Sequence, residues 1–155
     1  MKKTLLAVMA VLMMSVMLIA GCSSGEEAAP AADKKSGTTT IGFSISTLNN
    51  PFFVSVKDGV EAKAKELGVN VKIVDAQNDP AKQANDVADL LQQGVSVLLV
   101  NPVDSAAIST SVEAANKAKI PVIALDRSAD KGTIASLVAS DNVKGGEMAA
   151  EYIIK

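Results

Sequence analysis

The sequence predicts an α/β fold, with a doubly wound parallel sheet whose strand order is 2-1-3-4-5. From residue 40 onward, short apolar runs alternate with longer segments in which apolar residues recur every three or four positions. The run at residues 97–100 is continuously apolar, as expected for a strand that is covered on both faces. Five strand-like runs, four helical segments and short connections together indicate successive β-α-β units.

The first half of the fold contains two predicted strands and two predicted helices. Residues 41–46 form the first strand, and alternating apolar residues in 69–75 form the second. The first helix ends at Gly68, and its expected apolar stripe is Phe53, Val56, Val60, Ala64 and Leu67. The second helix starts at Pro80 and ends before Gly94. Its expected buried face is Ala84, Val87, Ala88 and Leu91.

The second half continues the same alternation. Residues 97–100, 121–125 and 134–139 are the third, fourth and fifth predicted strands. The third helix is indicated by Ile108, Val112 and Ala115. A last helix follows the N-cap signal Asp141-Asn142. Its expected apolar lining is Met148, Ala149, Tyr152 and Ile153.

Residues 1–39 precede the predicted fold and indicate export. Lys2 and Lys3 come before the uncharged run 5–20, which is typical of a secretory signal peptide over residues 1–21. Residues 19–22, Ile-Ala-Gly-Cys, resemble a lipobox, which implies that Cys22 becomes a lipidated N-terminus and anchors the protein to a membrane. The alternative is a plain transmembrane anchor, because residues 4–25 are uncharged and long enough to span a bilayer. Residues 22–39 are small, polar and charged, which predicts a flexible tether.

Composition excludes several classes of function. The chain has no His and one Cys, which rules out a histidine general base, a His-ligated metal and an internal disulfide. The net charge of -2, without a basic stripe, gives no reason to expect nucleic-acid binding. No G-x-G-x-x-G, P-loop or G-x-S-x-G motif is present. An aspartate dyad is not excluded by spacing, but we expect no catalytic residue, metal or cofactor.

Polar residues follow the predicted strands, where ligands collect in sheets of this kind. They are residues 47–53 after the first strand, Asp75, Gln77 and Asn78 after the second, Asn101, Asp104 and Ser105 after the third, and Asp126 and Arg127 after the fourth. Amides, carboxylates and a guanidinium can satisfy adjacent sugar hydroxyls, while aromatic rings cover the apolar faces of a sugar. The rim therefore suits a neutral polyhydroxylated ligand.

Structural interpretations of the same residues remain open at this point. Phe52 and Phe53 could be core residues, although adjacent helical positions point about 100° apart. Asp126 and Arg127 could form a solvated ion pair. The amide and carboxylate after the third strand, Asn101 and Asp104, could be turn and cap residues. The two glycines at residues 145–146 could allow close packing of the helix backbone against a neighbouring element.

Four segments resemble the ribose/sugar branch of the periplasmic pentose–hexose binding family. They are S-T-L-N-N-P-F-F at 46–53, N-P-V-D-S at 101–105, L-D-R at 125–127 and A-S-D-N-V at 139–143. The resemblance covers residues 40–155 and implies a two-lobed receptor in the cell envelope. Such a receptor closes on D-ribose or a similar monosaccharide and delivers it to the permease of an ABC importer. Because the family has a second lobe, residues 40–155 are expected to be an incomplete first lobe.

The resemblance also implies the roles of individual residues. The implied sugar-binding residues are Asn50, Phe52, Phe53, Asp126 and Arg127, with Ser46 as a further candidate at the same mouth. The amide and the two charged groups bind hydroxyls, and the two rings stack on the sugar. Alternatives are a sugar-responsive repressor core, a Rossmann-type enzyme, or a receptor for allose, galactose or a signalling furanose. A repressor would need a helix-turn-helix headpiece where the signal and lipobox stand, and an enzyme of this type would carry the missing glycine motif.

Overall fold

The structure is a computed structural model that describes residues 39–154, and it contains the predicted alternation of strands and helices. The strands are β1 (Thr40–Ile45), β2 (Asn70–Asp75), β3 (Val97–Val100), β4 (Val122–Leu125) and β5 (Ser136–Val138). The helices are α1 (Pro51–Leu67), α2 (Pro80–Gln92), α3 (Ser109–Lys117) and α4 (Asn142–Ile153). The predicted signal peptide, Cys22 and nearly all of the tether lie outside the described residues. None of the helices in residues 39–154 has the length and apolar character needed to cross a membrane.

The strands form one parallel sheet in the order β2-β1-β3-β4-β5, which confirms the predicted class and strand order. The chain turns from β1 to one neighbour, β2, and then crosses β1 to reach β3 on its other side. Right-handed crossovers then place α1 on the opposite face of the sheet from α2 and α3. The carboxyl ends of β1, β3 and β4 thus meet at the point where the winding direction changes.

The main core lies between the sheet and the face that carries α2 and α3. Its fully buried members are Val87, Leu90, Val95, Leu98, Val100, Ile108, Val112, Ala115 and Val122. Ile108, Val112 and Ala115 were predicted to mark the buried side of the third helix, and this is confirmed. Apolar burial on this scale supplies most of the favourable free energy of such a fold.

Two helix faces differ from the prediction. On α2, Gln83 and Leu90 are buried beside Val87, whereas Ala88 is exposed. The spacing 83, 87 and 90 is a regular helical face, so the true buried stripe is rotated relative to the predicted one. The difference arises because a polar residue, Gln83, occupies a core position. At the end of α1, Leu67 is 64% exposed although the apolar stripe included it.

The C-terminal elements also depart from expectation. The fifth strand is confirmed but spans three residues rather than 134–139, and all of them are exposed. On α4 the predicted N-cap is confirmed, since the Asp141 carboxylate accepts the Lys144 N–H at 2.9 Å. Its apolar residues are not covered by any element within 39–154, and Tyr152 is 84% exposed. Gly145 has no heavy atom within 4 Å of the Cβ it lacks, and Gly146 likewise, so the interpretation of close packing is wrong for the described residues.

Candidate functional site

An open cleft of about 260 Å³ lies at the carboxyl ends of the strands. Its walls are formed by Phe52, Phe53 and Val56 of α1, Asn101 after β3, Leu125 and Asp126 at the end of β4, and Val138, Ala139 and Ser140 at the end of β5. Three of the six predicted sugar-binding residues, Phe52, Phe53 and Asp126, are among them. The other three, Asn50, Arg127 and Ser46, lie outside this lining.

Two phenylalanine rings form the aromatic wall of the cleft. The ring centroids of Phe52 and Phe53 are 5.3 Å apart at an interplanar angle of 65°, an edge-to-face pair. Phe52 is 51% exposed and Phe53 is half-buried, so neither ring is a core residue. The interpretation of these residues as core is therefore wrong. An apolar ligand surface laid on this wall would remove exposed aromatic area from water.

Asn50 holds the start of α1 beside this wall. Its side-chain oxygen accepts the Phe52 N–H at 2.9 Å, and Pro51 occupies the first helical position. This cap satisfies one of the free N–H groups at the helix start. The carboxamide nitrogen of Asn50 has no hydrogen-bond partner within residues 39–154, and the residue is exposed. The cap thus fixes the side chain while leaving its two N–H donors for a ligand.

Asp126 lines the cleft directly after the end of β4. Its backbone is left-handed, with φ of 65°, and its N–H donates to the Val138 carbonyl at 2.8 Å. Within the described part of the chain, no hydrogen bond or ion pair engages this carboxylate. The alternative interpretation of Asp126 and Arg127 as an ion pair is wrong for the described residues, since the Arg127 Nη1 donates instead to the Val103 carbonyl at 2.6 Å. Arg127 is exposed and follows directly after the cleft residue.

Ser46 has an internal role instead of a place on the cleft wall. It is buried, its hydroxyl donates to the Asn101 Oδ1 at 2.5 Å, and its N–H donates to the same oxygen at 3.2 Å. The Asn101 Nδ2 in turn donates to the Leu125 carbonyl at 3.0 Å. Asn101 is 1% exposed and ties together the ends of β1, β3 and β4. The interpretation of Asn101 as a simple turn residue is therefore wrong.

Other residues of the predicted rim serve the backbone. The Asp104 carboxylate accepts the N–H groups of Ala106 and Ala107 at 3.0 and 2.7 Å, so its interpretation as a turn and cap residue is confirmed. The Asp75 carboxylate accepts the Gln77 N–H at 2.9 Å and closes the turn after β2. These residues are not part of the cleft lining.

The end of β5 also belongs to the site, although neither Ala139 nor Ser140 was a predicted site residue. Ala139 and Ser140 line the cleft, and they follow a strand end just as the other candidates do. Extending the same strand-end rule to the fifth strand would have found them. The short, exposed form of that strand made its end hard to locate in the sequence.

The cleft combines an aromatic wall with a carboxylate that no described residue engages, and the free amide nitrogen of Asn50 lies next to the first helical turn that carries this wall. Within residues 39–154 no cluster of His, Cys, Asp or Glu is placed to hold a metal ion. No buried side-chain nitrogen or oxygen in that part of the chain lacks a hydrogen-bond partner. Such a surface can bind a neutral molecule that has both apolar faces and hydroxyl groups.

A family model described as a periplasmic binding protein domain matches residues 41–155. The chain belongs to the periplasmic binding protein family. The chain is 56% identical over 149 residues to the ribose import binding protein of Bacillus subtilis, an alignment covering 95% of this chain and 49% of that protein. It is 53% identical over 116 residues to the Escherichia coli ribose import binding protein, covering 75% and 39% respectively. This periplasmic binding protein chain therefore spans about half the length, or less, of those relatives.

Solved structures share the fold of this periplasmic binding protein chain. A Caulobacter myo-inositol binding protein, bound to myo-inositol, matches with a TM-score of 0.71 at 33% identity, over 77% of this chain and 41% of that one. A periplasmic ribose ABC transporter protein from Conexibacter woesei matches with a TM-score of 0.69 at 26% identity, over 76% and 39%. Both comparisons agree with the parallel sheet described above.

Proposed function

We propose that this chain is the first lobe of the substrate-binding component of an ABC sugar importer, and that its ligand is D-ribose. The observation that carries the proposal is the cleft at the strand ends, whose lining includes both the Phe52–Phe53 pair and Asp126. The curated relatives that share about half of this chain's residues, or slightly more, are named ribose import binding proteins. Chemistry and relationship therefore point to the same ligand class.

Each of the six candidate residues has a defined part in this proposal. The phenyl rings cover the C–H face of the sugar, and the Asp126 carboxylate accepts hydrogen bonds from hydroxyls. Asn50 contributes its free amide N–H groups, and Arg127 contributes the guanidinium donors that the Val103 carbonyl leaves unused. Ser46 acts indirectly, because its hydroxyl is committed to Asn101.

The proposed capture of sugar involves two lobes. The relatives are about twice the length of this chain or longer, and a sugar held by one lobe keeps part of its surface in water. Tight binding requires a second surface that encloses the ligand and satisfies its remaining hydroxyls. We propose that closure of the two lobes is the signal read by the importer's permease.

Binding without chemical change is part of the same proposal. The relatives at 49–56% identity are all named as binding proteins. We propose that the cleft captures and releases an unaltered sugar, with no catalytic residue and no cofactor.

We further propose that the protein is exported and held at the membrane by lipid on Cys22, with residues 1–21 as signal peptide and 22–39 as tether. The lipobox-like sequence before Cys22 supports this. The alignment with the Bacillus subtilis relative also supports it, because its 149 residues exceed the 116 of residues 40–155 and so extend into the leader.

The ligand can be tested in a two-lobed context. Residues 40–155 replace the matching residues of the Bacillus subtilis relative, and D-ribose, allose, galactose and xylitol are titrated by calorimetry. We expect D-ribose to bind most tightly, and Asp126→Ala in the same graft to weaken it. Tighter binding of another sugar would change the ligand within the proposal, whereas no sugar binding by a folded graft would contradict it.

A further inference from the structure

Gln83 is a polar side chain placed in the core face of α2. It is 1% exposed, and burying an amide without hydrogen bonds is costly. Its Nε2 donates to the Asn101 carbonyl at 2.9 Å and to the Ser44 hydroxyl at 3.2 Å. Its Oε1 accepts the Val103 N–H at 2.8 Å. The side chain is therefore held from both ends and connects α2 to the segment after β3.

Val103 carries this connection toward the cleft. Its N–H is fixed by Gln83, and its carbonyl accepts the Arg127 Nη1 at 2.6 Å. Pro102, just before it, is fully buried, so the segment is anchored on both sides of the peptide bond that joins them. The position of the Val103 carbonyl is thus determined by a side chain on a different element, α2.

Arg127 depends on that carbonyl for its placement. It is exposed, and this is the single hydrogen bond that its guanidinium makes within residues 39–154. A long side chain without such a contact samples many rotamers, and ordering it on binding a ligand has an entropic cost. With one of five N–H donors engaged, the remaining four keep a position fixed by the Val103 carbonyl.

We propose that Gln83 is a positioning residue for Arg127, acting through both backbone groups of Val103 to hold the guanidinium in place before ligand arrives. The ordering of the Arg127 side chain by Gln83 does not depend on which ligand binds. Its consequence for sugar affinity rests on the proposed function.

The order of Arg127 can be measured directly, because it is the only arginine in the chain. A uniformly ¹⁵N-labelled full chain gives one arginine Nε–H signal, whose heteronuclear NOE reports side-chain motion. We expect a high value in the native chain. In Gln83→Met, which keeps the length of the side chain and removes its hydrogen bonds, we expect the value to fall to that of a freely rotating side chain.

Matched variants separate positioning from general destabilisation. Gln92→Met makes the same change at an exposed position of α2 and should leave the signal unchanged. Val103→Pro deletes the N–H that Gln83 binds but leaves Gln83 intact, so it should also free Arg127 and serves if Gln83→Met does not fold. An ordered Arg127 in a folded Gln83→Met or Val103→Pro chain would overturn the proposal.

Sugar affinity provides the second arm, in the grafted two-lobed protein. We expect Gln83→Met to weaken D-ribose binding about threefold to tenfold, the range of one ordinary hydrogen bond. In an Arg127→Ala background the same change should have no further effect, because Gln83 acts through Arg127. If the losses of affinity from Gln83→Met and Arg127→Ala add in the double variant, Gln83 does not act through Arg127. If the unsubstituted graft binds no D-ribose, the proposed function fails. The heteronuclear NOE of Arg127 then still decides whether Gln83 positions its side chain.

Discussion

Replacing Asn101 by alanine tests whether the junction of three strands depends on one side chain. Asn101→Ala removes the acceptor for the Ser46 hydroxyl and N–H and the donor to the Leu125 carbonyl. The residue is 1% exposed, so water cannot readily replace these contacts. A buried polar group left without a partner costs about 1–3 kcal/mol.

The magnitude follows from what each partner retains. The Ser46 hydroxyl can rotate toward another acceptor, and the Leu125 carbonyl still accepts the Arg127 N–H at 2.7 Å. The Ser46 N–H is left with no replacement that the described structure shows. We therefore expect the free energy of unfolding to fall by about 2–4 kcal/mol. The Ser46 N–H contributes the full cost of an unsatisfied buried group, and the Ser46 hydroxyl and the Leu125 carbonyl each contribute part of that cost.

Urea unfolding followed by far-ultraviolet circular dichroism measures this loss, since the chain has no Trp to report by fluorescence. Asn116→Ala is the matched control. Its side chain also bridges backbone groups, accepting the Thr133 N–H at 2.7 Å and donating to the Thr133 carbonyl at 3.0 Å, but these bonds are solvent-exposed. Only about 1 kcal/mol should be lost there. Equal losses in the two variants would refute the reasoning.

Three further predictions concern other parts of the chain. Gly132→Ala should lower the free energy of unfolding by about 2–4 kcal/mol, because φ is 89° and the new Cβ would lie 2.6 Å from the Val112 Cγ1. Its control, Gly94→Ala, has open space around the new Cβ and should lose only about 1 kcal/mol in the same urea assay, the cost of a left-handed φ of 71°. Arg127→Lys should weaken D-ribose binding of the graft by about 2–3 kcal/mol in calorimetry, since the planar fork is lost, and near-native affinity would contradict a sugar contact. Cys22→Ala should abolish metabolic labelling by palmitate, and unchanged labelling would rule out lipidation at that residue.

The fold was predictable because strand and helix periodicities are local properties. Alternation and right-handed crossovers predict a parallel doubly wound sheet, and the order 2-1-3-4-5 is one of the two orders common in such sheets. The buried face of α2 was less predictable, since Gln83 reads as a surface residue until its three partners are known. For α4 the apolar pattern showed which side can be buried but not what covers it. Periodicity therefore identifies which face of a helix is apolar, whereas the residues that pack against that face depend on the tertiary structure.

The candidate site was predictable to the extent that it follows strand ends. Position along the chain found Asp126 and the two phenylalanines, because the carboxyl ends of parallel strands share an edge. Successive side chains of an extended segment point to opposite sides, so a shift of one residue reverses the direction. Position along the chain therefore could not show that the Ser46 side chain is buried against Asn101 rather than on the cleft wall. Nor could it show that Arg127 binds the Val103 carbonyl, a contact between residues 24 positions apart.

If Asn50 contacts the sugar as proposed, its role as a helix cap couples ligand preference to folding. One amide both starts α1 and offers donors beside the aromatic wall. Substitutions that alter the proposed ligand contacts of Asn50 would also alter the helix start, and losing a cap costs about 1 kcal/mol. The Asp126 side chain, in contrast, makes no hydrogen bond that stabilises the fold within the described residues. Drift toward new ligands should therefore begin at the carboxylate and the exposed ring of Phe52, while the amide at the cap changes last, if at all.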